Sequence, residues 1–288
     1  MKRSLFLGLS LAALLLSACN NPAPSSDSSA SSHATGLSSS TTSLTSESSS
    51  SESSSGPRKA SELPESEYKL FPSLYMDKVA SLSSFKAVTD GSSVASILFI
   101  PITQPINVTT IKGKEYNYLH NDSKSDKAQT DHEAFFKGET AVYKDNHKSP
   151  DDYTKATLPQ YKETFGVYPF DRCIEGYVIN EETVKEVTKV KGDSITYKLT
   201  LDPQKSTVNV VKQMKVFGDL DDLPSFANVY LNVTVLDDFT PVSIYLDAWY
   251  SSKKMISVDC HQTYTVTFSE IDQDVTIPNI DKVENLFK

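Results

Sequence analysis

The side chains that could bind a metal ion or a cofactor are scattered along this chain. A zinc site needs His, Cys or carboxylate groups that converge, and its sequence usually shows Cys-x-x-Cys or two histidines at i and i+4. The histidines after residue 60 show neither spacing: they are His120, His132, His147 and His261. We therefore expect no metal site and no cofactor.

Motifs of nucleophilic catalysis do not stand out either. The chain has no Gly-x-Ser-x-Gly elbow, and no Ser-x-x-Lys occurs with its usual companions. Cys173 and Cys260 lack the local sequence that marks a catalytic Cys. Catalytic groups can still converge from distant strands, so an enzymatic function stays open as the least favoured alternative. We expect a non-catalytic protein.

Cys19 is the residue whose surroundings indicate a covalent modification. An apolar stretch, Leu5 to Leu16, follows the positive charges of Lys2 and Arg3, which is the pattern of a secretory signal peptide. The stretch has about a dozen residues, whereas a membrane-spanning helix needs roughly 20. We therefore predict a signal segment over residues 1–18 and an extracytoplasmic location for the remainder.

The four residues Leu16-Ser17-Ala18-Cys19 resemble the bacterial lipobox. That resemblance implies that the Cys19 sulfur receives a diacylglycerol, that cleavage occurs before Cys19, and that the lipid holds the mature chain on the extracytoplasmic side of the cell membrane. Two acyl chains give stable anchoring, whereas one gives only reversible binding.

The next segment, residues 19–60, is predicted to be a tether. Ser and Thr dominate it and large apolar side chains are rare, so it cannot bury a core. Residues 61–288 are long enough for a single globular β-rich domain. The formal net charge of −9 disfavours nucleic acid as a partner, because such binding requires clustered Lys and Arg.

Two cysteines of the predicted domain leave two alternatives open. Exported proteins can form disulfides, and a bond between Cys173 and Cys260 would close a long loop, worth about 4 to 5 kcal/mol in the chain-entropy model. The alternative is two free thiols, since Cys260 lies on an apolar strand face that suits a buried thiol.

Alternating polarity predicts antiparallel strands from Ser194 onward, with one face packed and one in water. Further strands are expected over Val94 to Ile100, Ile106 to Ile111 and Thr140 to Lys144. Apolar residues at helical spacing predict a helix between Leu70 and Leu82. A short helix is expected after Asn180, through Val184. Residues 145–165 are expected to be an excursion from the sheet.

An entry helix followed by a long antiparallel meander resembles the LolA/LolB/LppX-type lipoprotein fold. The resemblance rests on the strands from Val229 to Leu236 and from Val242 to Tyr250, on Thr263 to Phe268, and on Val275-Thr276-Ile277-Pro278. It implies an α+β, mainly β fold: a curved antiparallel half-barrel with an N-terminal helix and short helices on its concave side. It also implies an acyl-chain cavity on that side.

Two functions follow as expectations. The first is binding of an apolar, lipid-like ligand by the apolar strand face, which carries Leu231, Val233, Ile244, Leu246, Val258 and Val266. The same residues would otherwise be ordinary core. The alternative is a protein-interaction or envelope-scaffold module that uses aromatic residues of the opposite face: Tyr230, Tyr245 and Trp249.

Overall fold

The computed structural model describes residues 58–97, 100–124, 129–144, 152–190, 192–218, 220–254 and 256–288. The predicted signal segment, Cys19, most of the predicted tether and His147 lie outside these residues. Ala60 is already fully buried, and its carbonyl oxygen accepts a 2.6 Å hydrogen bond from the Tyr197 hydroxyl. The packed part of the described chain therefore includes the last residues of the segment predicted as tether.

Eleven strands of the described chain form one antiparallel sheet. Its first six strands are β1 (Phe85–Ile97), β2 (Ile100–Lys112), β3 (Asn117–Lys124), β4 (Gln129–Lys137), β5 (Thr140–Lys144) and β6 (Thr154–Thr157). The other five are β9 (Val184–Val190), β10 (Ile195–Leu201), β11 (Ser225–Val235), β12 (Pro241–Lys254) and β13 (Ile256–Ser269). A separate two-stranded hairpin consists of β7 (Cys173–Ile174) and β8 (Tyr177–Val178).

The order across the sheet is β6-β5-β4-β3-β2-β1-β13-β12-β11-β10-β9. Two meanders, one from each half of the chain, are thus joined where β1 pairs with β13. Gly91 lies opposite Tyr264 in this pairing, and a Cβ atom at residue 91 would come within 2.2 Å of the Thr263 carbonyl oxygen. Only glycine permits so close an approach at this junction.

The two faces of the sheet have different roles. The inner face, which carries Leu231, Leu246 and Val266, packs in the main hydrophobic core. The helices are α1 (Phe71–Ser81), α2 (Leu158–Phe165), α3 (Pro203–Ser206), α4 (Val210–Gly218) and α5 (Ile280–Val283). Phe71 of α1 and Val210 of α4 lie in the same core as the inner face. The sheet is curved and open, and helices α1, α2 and α4 lie on its concave side.

The chain leaves the sheet between β6 and β9. Thr157 caps α2 by a capping box with Gln160, and Gly166 ends the helix in the left-handed conformation at φ 73°. Tyr161 and Phe165 of α2 then pack against Phe136 and Ala141 of the inner face. The predicted excursion over residues 145–165 was therefore wrong for Thr154–Thr157, which pair with β5 as strand β6, and holds for α2; residues 145–151 lie outside the described chain.

The C-terminal segment covers part of the outer face. Val283 is fully buried against Tyr118, Phe135 and Val142 of β3, β4 and β5. Glu133 is buried in the same region and its carboxylate accepts three hydrogen bonds, from Tyr118 Oη, Tyr153 Oη and Asn279 Nδ2. Helix α5, which carries Val283, was not predicted from the sequence, and it places the C-terminal segment on the convex side.

The predicted fold class is confirmed, as are the helix within Leu70–Leu82 and the strands from Ile195 onward. The prediction of a short helix after Asn180 was wrong. The Asn180 side chain accepts hydrogen bonds from the backbone N–H groups of Glu182 and Thr183, which makes a turn. The β-branched residues that follow, beginning at Val184, then enter β9.

Candidate ligand cavity

A cavity of about 240 Å³ lies on the inner face beneath helix α4. Its floor is formed by β1 to β4 on one side and by β12 and β13 on the other. Its apolar lining is Ala95, Ile102, Pro105, Ile106, Val108, Val210, Met214, Phe217 and Leu220. The volume exceeds that of the roughly 150 Å³ apolar cavity that admits benzene. The site therefore has room for an apolar group of moderate size.

Helix α4 supplies the roof of the cavity. Val210, Met214 and Phe217 follow one another at i, i+4 and i+7, which places them on one side of a helix. These residues were not predicted from the sequence, although their helical spacing is visible in it. What the spacing could not tell is where the helix docks on the sheet.

Hairpin β7–β8 brings an acidic side chain to the cavity. Glu175 and Gly176 form its turn with φ of 49° and 84°, and positive φ at both central residues is the pattern of a type I′ turn. Gly adopts this conformation freely, whereas a Glu in it is uncommon. The turn places Glu175 among the cavity-lining residues.

The Glu175 carboxylate is held against the central strand of the sheet. Thr89 Oγ1 donates a 3.2 Å hydrogen bond to Glu175 Oε2, and Thr89 itself is buried. Burial raises the pKa of Glu175 to about 7, against the opposing effect of the Thr89 hydrogen bond. The carboxyl group therefore titrates near neutral pH.

Neutral polar groups complete the lining. Ser93, Gln104, Asn121, Ser123, Thr130, Gln213, Ser252 and Gln262 supply hydroxyl and amide groups. Ser93 Oγ and Tyr250 Oη lie 2.7 Å apart, and Ser123 Oγ donates 2.6 Å to Asn121 Oδ1. The cavity thus combines apolar walls with hydroxyl, amide and carboxyl groups, the composition of many small-molecule sites.

The six apolar residues predicted as ligand contacts lie elsewhere on the inner face. Leu231, Val233, Ile244, Leu246, Val258 and Val266 are each at most 3% exposed, belong to the main core and are not among the cavity-lining residues. Phe71 and Tyr75 of α1 belong to the same core cluster. Contact of these six residues with a ligand stays a prediction, and the observed cavity uses other positions of the same face.

Both cysteines of the described chain are free thiols. Cys260 lines the cavity, and its sulfur lies 3.6 Å from Ser252 Oγ. Cys173 lies in the hairpin, where its thiol donates to the Tyr168 carbonyl oxygen at 3.7 Å. Burial raises the pKa of Cys173 to about 12 and also raises that of Cys260.

The described residues contain no group of three or more His, Cys, Asp or Glu side chains that could hold a metal ion. Each described histidine has a local partner: His120 pairs with Asp131, His132 with Tyr161, and His261 with Asp247. His132 is fully buried among aromatic rings and lies 4.5 Å, centroid to centroid, from Phe165.

The predicted aromatic residues of the opposite face lie on the outer side of the sheet. Trp249 is 47% exposed and Tyr245 is 41% exposed, whereas Tyr230 is half-buried. The Trp249 indole stacks on the His261 ring with centroids 4.0 Å apart, and His261 Nε2 lies 2.9 Å from Asp247 Oδ1. These contacts hold Trp249 in place on an accessible surface.

Within the described ranges, no helix combines the length and the apolar character that crossing a bilayer requires.

No protein-family model and no curated protein sequence matches the chain. Among solved structures, LprF from Mycobacterium bovis is similar, with 14% identity, a TM-score of 0.39, and coverage of 75% of this chain and 98% of that one. Mycobacterium tuberculosis lipoprotein LppX has 10% identity, a TM-score of 0.35, and coverage of 74% and 100%. A LolA superfamily protein from Nitrosomonas europaea has 12% identity, a TM-score of 0.30, and coverage of 74% and 96%.

Proposed function

We propose that this protein is a membrane-anchored extracytoplasmic lipoprotein, without catalytic activity, that binds an apolar, lipid-like ligand in the cavity beneath α4. The observation that carries the proposal is the cavity of about 240 Å³ on the concave face, roofed by Met214 and Phe217. Burial of apolar surface would drive binding, at roughly 25 cal/mol per Å² removed from water before the costs of association.

The cavity can be tested by filling it. Ala95 lines the cavity, whereas its neighbour Ser96 is exposed on the other face of β1. We expect Ala95→Trp to weaken binding of the apolar fluorophore N-phenyl-1-naphthylamine at least about tenfold, since the indole would occupy the site. Ser96→Trp places the same side chain outside and should bind like the parent. Equal binding by both variants would contradict the proposal.

The natural occupant can be sought directly. The chain beginning at Asn20, exported behind a signal segment without Cys19 and purified from the bacterial envelope without detergent, should carry a stoichiometric apolar molecule, detected by native mass spectrometry and identified after solvent extraction. The Ala95→Trp variant should carry none. A parent chain and a variant that both release the same apolar molecule would contradict this location of the site.

The anchor needs its own experiment, because Cys19 lies outside the described residues. The motif Leu16-Ser17-Ala18-Cys19 supports lipidation of the Cys19 sulfur. We expect Cys19→Ala to lose the lipid-dependent mass and to move out of the detergent-soluble membrane fraction. A variant that retains the acyl mass would contradict the anchor and leave the cavity unaffected.

The exposed aromatic surface supports a second candidate, a protein-interaction module. Trp249 and Tyr245 stand on the outer face, away from the cavity. Affinity capture from membranes with the parent chain and with a Tyr245→Ala/Trp249→Ala variant would test it. A partner that the variant loses supports an interaction surface, and equal capture by both contradicts it.

A further inference from the structure

The position of Glu175 limits which head groups the cavity can accept. Glu175 is held by its hairpin turn and by Thr89, so its carboxyl group lies at the wall of an otherwise neutral lining. Among the described residues, Thr89 Oγ1 donates to Oε2 and no donor reaches Oε1. An acceptor oxygen of Glu175 is therefore available to a molecule in the cavity.

The groups that face Glu175 come from several elements and are neutral at pH 7. They are Tyr75 of α1, Cys173 and Tyr177 of the hairpin, Thr89 of β1 and Tyr264 of β13. Burial raises the pKa of each of these tyrosines, with the Glu175 carboxylate as a further cause. An anion brought beside Glu175 would meet a like charge with little water to screen it.

A donor group would meet the opposite situation. A hydroxyl or an ammonium can donate to Oε1 of Glu175, and hydrogen bonds to an ionised acceptor are the stronger kind. Ser93, Gln104 and Gln262 line the same cavity and can satisfy further polar atoms of a head group. Met214, Phe217 and Ile106 would contact the apolar part.

We propose, building on the proposed function, that the cavity selects amphiphiles whose head group donates a hydrogen bond to the Glu175 carboxylate, as an alcohol or an amine does, and discriminates against acidic amphiphiles such as fatty acids. The selectivity resides in one side chain. Apolar binding by the rest of the cavity does not depend on it.

The test compares three probes with the same tail: n-octanol, n-octylamine and octanoate. Each displaces N-phenyl-1-naphthylamine from the chain beginning at Asn20, produced without its signal segment and without lipid, at pH 8. We expect octanol and octylamine to bind at least about tenfold more tightly than octanoate, the size of one hydrogen bond to a charged group. Glu175→Gln should reduce the difference between octylamine and octanoate to within about threefold.

Two controls separate the outcomes. Glu182→Gln makes the same change at an exposed glutamate and should retain the selectivity. If Glu175→Gln does not fold, as judged by circular dichroism, Thr89→Val removes the holding hydrogen bond instead and should reduce the selectivity in the same direction. Octanoate that binds as well as octanol to the parent overturns the inference and leaves the proposed function standing. Displacement by none of the three probes overturns both.

Discussion

Thr89 Oγ1 donates a 3.2 Å hydrogen bond to Glu175 Oε2 and so ties the central strand β1 to the tip of hairpin β7–β8. The two residues are far apart in sequence, and the hairpin does not pair with the main sheet. This contact between a buried hydroxyl and a carboxylate in a left-handed turn helps to hold the hairpin over the concave face, together with the burial of Ile174 and Tyr177 in the main core.

The raised pKa of Glu175 predicts a pH-dependent stability. A carboxyl group whose pKa is about 7 when folded and 4.5 when unfolded binds its proton more tightly in the folded state. Its contribution to the free energy of unfolding is fully present below pH 4.5, and it is lost as the pH rises through the folded-state pKa of about 7. The shift corresponds to about 3 kcal/mol as an upper value.

The measurement is urea unfolding of the parent chain and of Glu175→Gln at several values between pH 4.5 and pH 8.5. Other carboxyl groups titrate in both proteins, so the difference between the two curves isolates Glu175. We expect the variant to gain stability relative to the parent as the pH rises. Parallel curves for the two proteins would contradict the shifted pKa, and Glu182→Gln should follow the parent throughout.

Gly91 predicts a steric limit at the junction of the two meanders. A Cβ atom there would come within 2.2 Å of the Thr263 carbonyl oxygen and 2.4 Å of the Tyr264 Cβ atom. Gly91→Ala must push β1 away from β13, so we expect a loss of at least about 2 kcal/mol in the free energy of unfolding.

Gly192 offers a matched control for this substitution. A Cβ atom at Gly192 would meet nothing within 4 Å, so Gly192→Ala should change the free energy of unfolding by less than about 0.5 kcal/mol. Chemical denaturation of both variants decides the matter. Equal effects of the two substitutions would show that crowding at the β1–β13 junction is not limiting.

Much of this sheet was predictable because one period-two pattern decides both strand and face. Leu231, Leu246 and Val266 were assigned to the apolar strand face from alternation alone, and each is buried. Strand β4 was missed because its inner and outer faces are both covered: Ala134 and Phe135 are both fully buried, so polarity does not alternate.

The cavity was not predictable for a different reason. Met214 and Phe217 have helical spacing, yet their role depends on where α4 docks on a curved sheet, which is a long-range relationship. Glu175-Gly176 carries a weak turn signal because Glu seldom adopts positive φ. Nothing local indicates that this carboxyl group faces a cavity.

Glu133 predicts how the C-terminal segment is held on the outer face. Its buried carboxylate accepts from Tyr118, Tyr153 and Asn279. Glu133→Ala would leave the buried Tyr118 hydroxyl without this acceptor, at about 1 to 3 kcal/mol for a buried donor left unsatisfied. We expect a loss of about 2 kcal/mol and faster amide exchange in residues 275–287.

The control for this change is Glu139→Ala, at an exposed glutamate in the turn between β4 and β5. It should leave both the free energy of unfolding and the exchange of the C-terminal segment close to the parent values. Unchanged exchange in Glu133→Ala would mean that apolar contacts of Val283 hold the segment without this carboxylate.

We expect the two free thiols, Cys173 and Cys260, to be alkylated slowly in the folded chain and readily in the unfolded chain. The thiolate is the reacting species, and a pKa of about 12 leaves about one Cys173 side chain in 10⁴ ionised at pH 8. Cys260 is buried and its pKa is also raised, so both should react slowly in the folded chain.

Iodoacetamide at pH 8, without reductant, should add almost no mass to the native chain beginning at Asn20 and two adducts in urea. A bound octanol should slow Cys260 further, because its sulfur lines the cavity, while leaving Cys173 unchanged. A chain that takes up no adduct in urea until it is reduced would instead carry a Cys173–Cys260 disulfide.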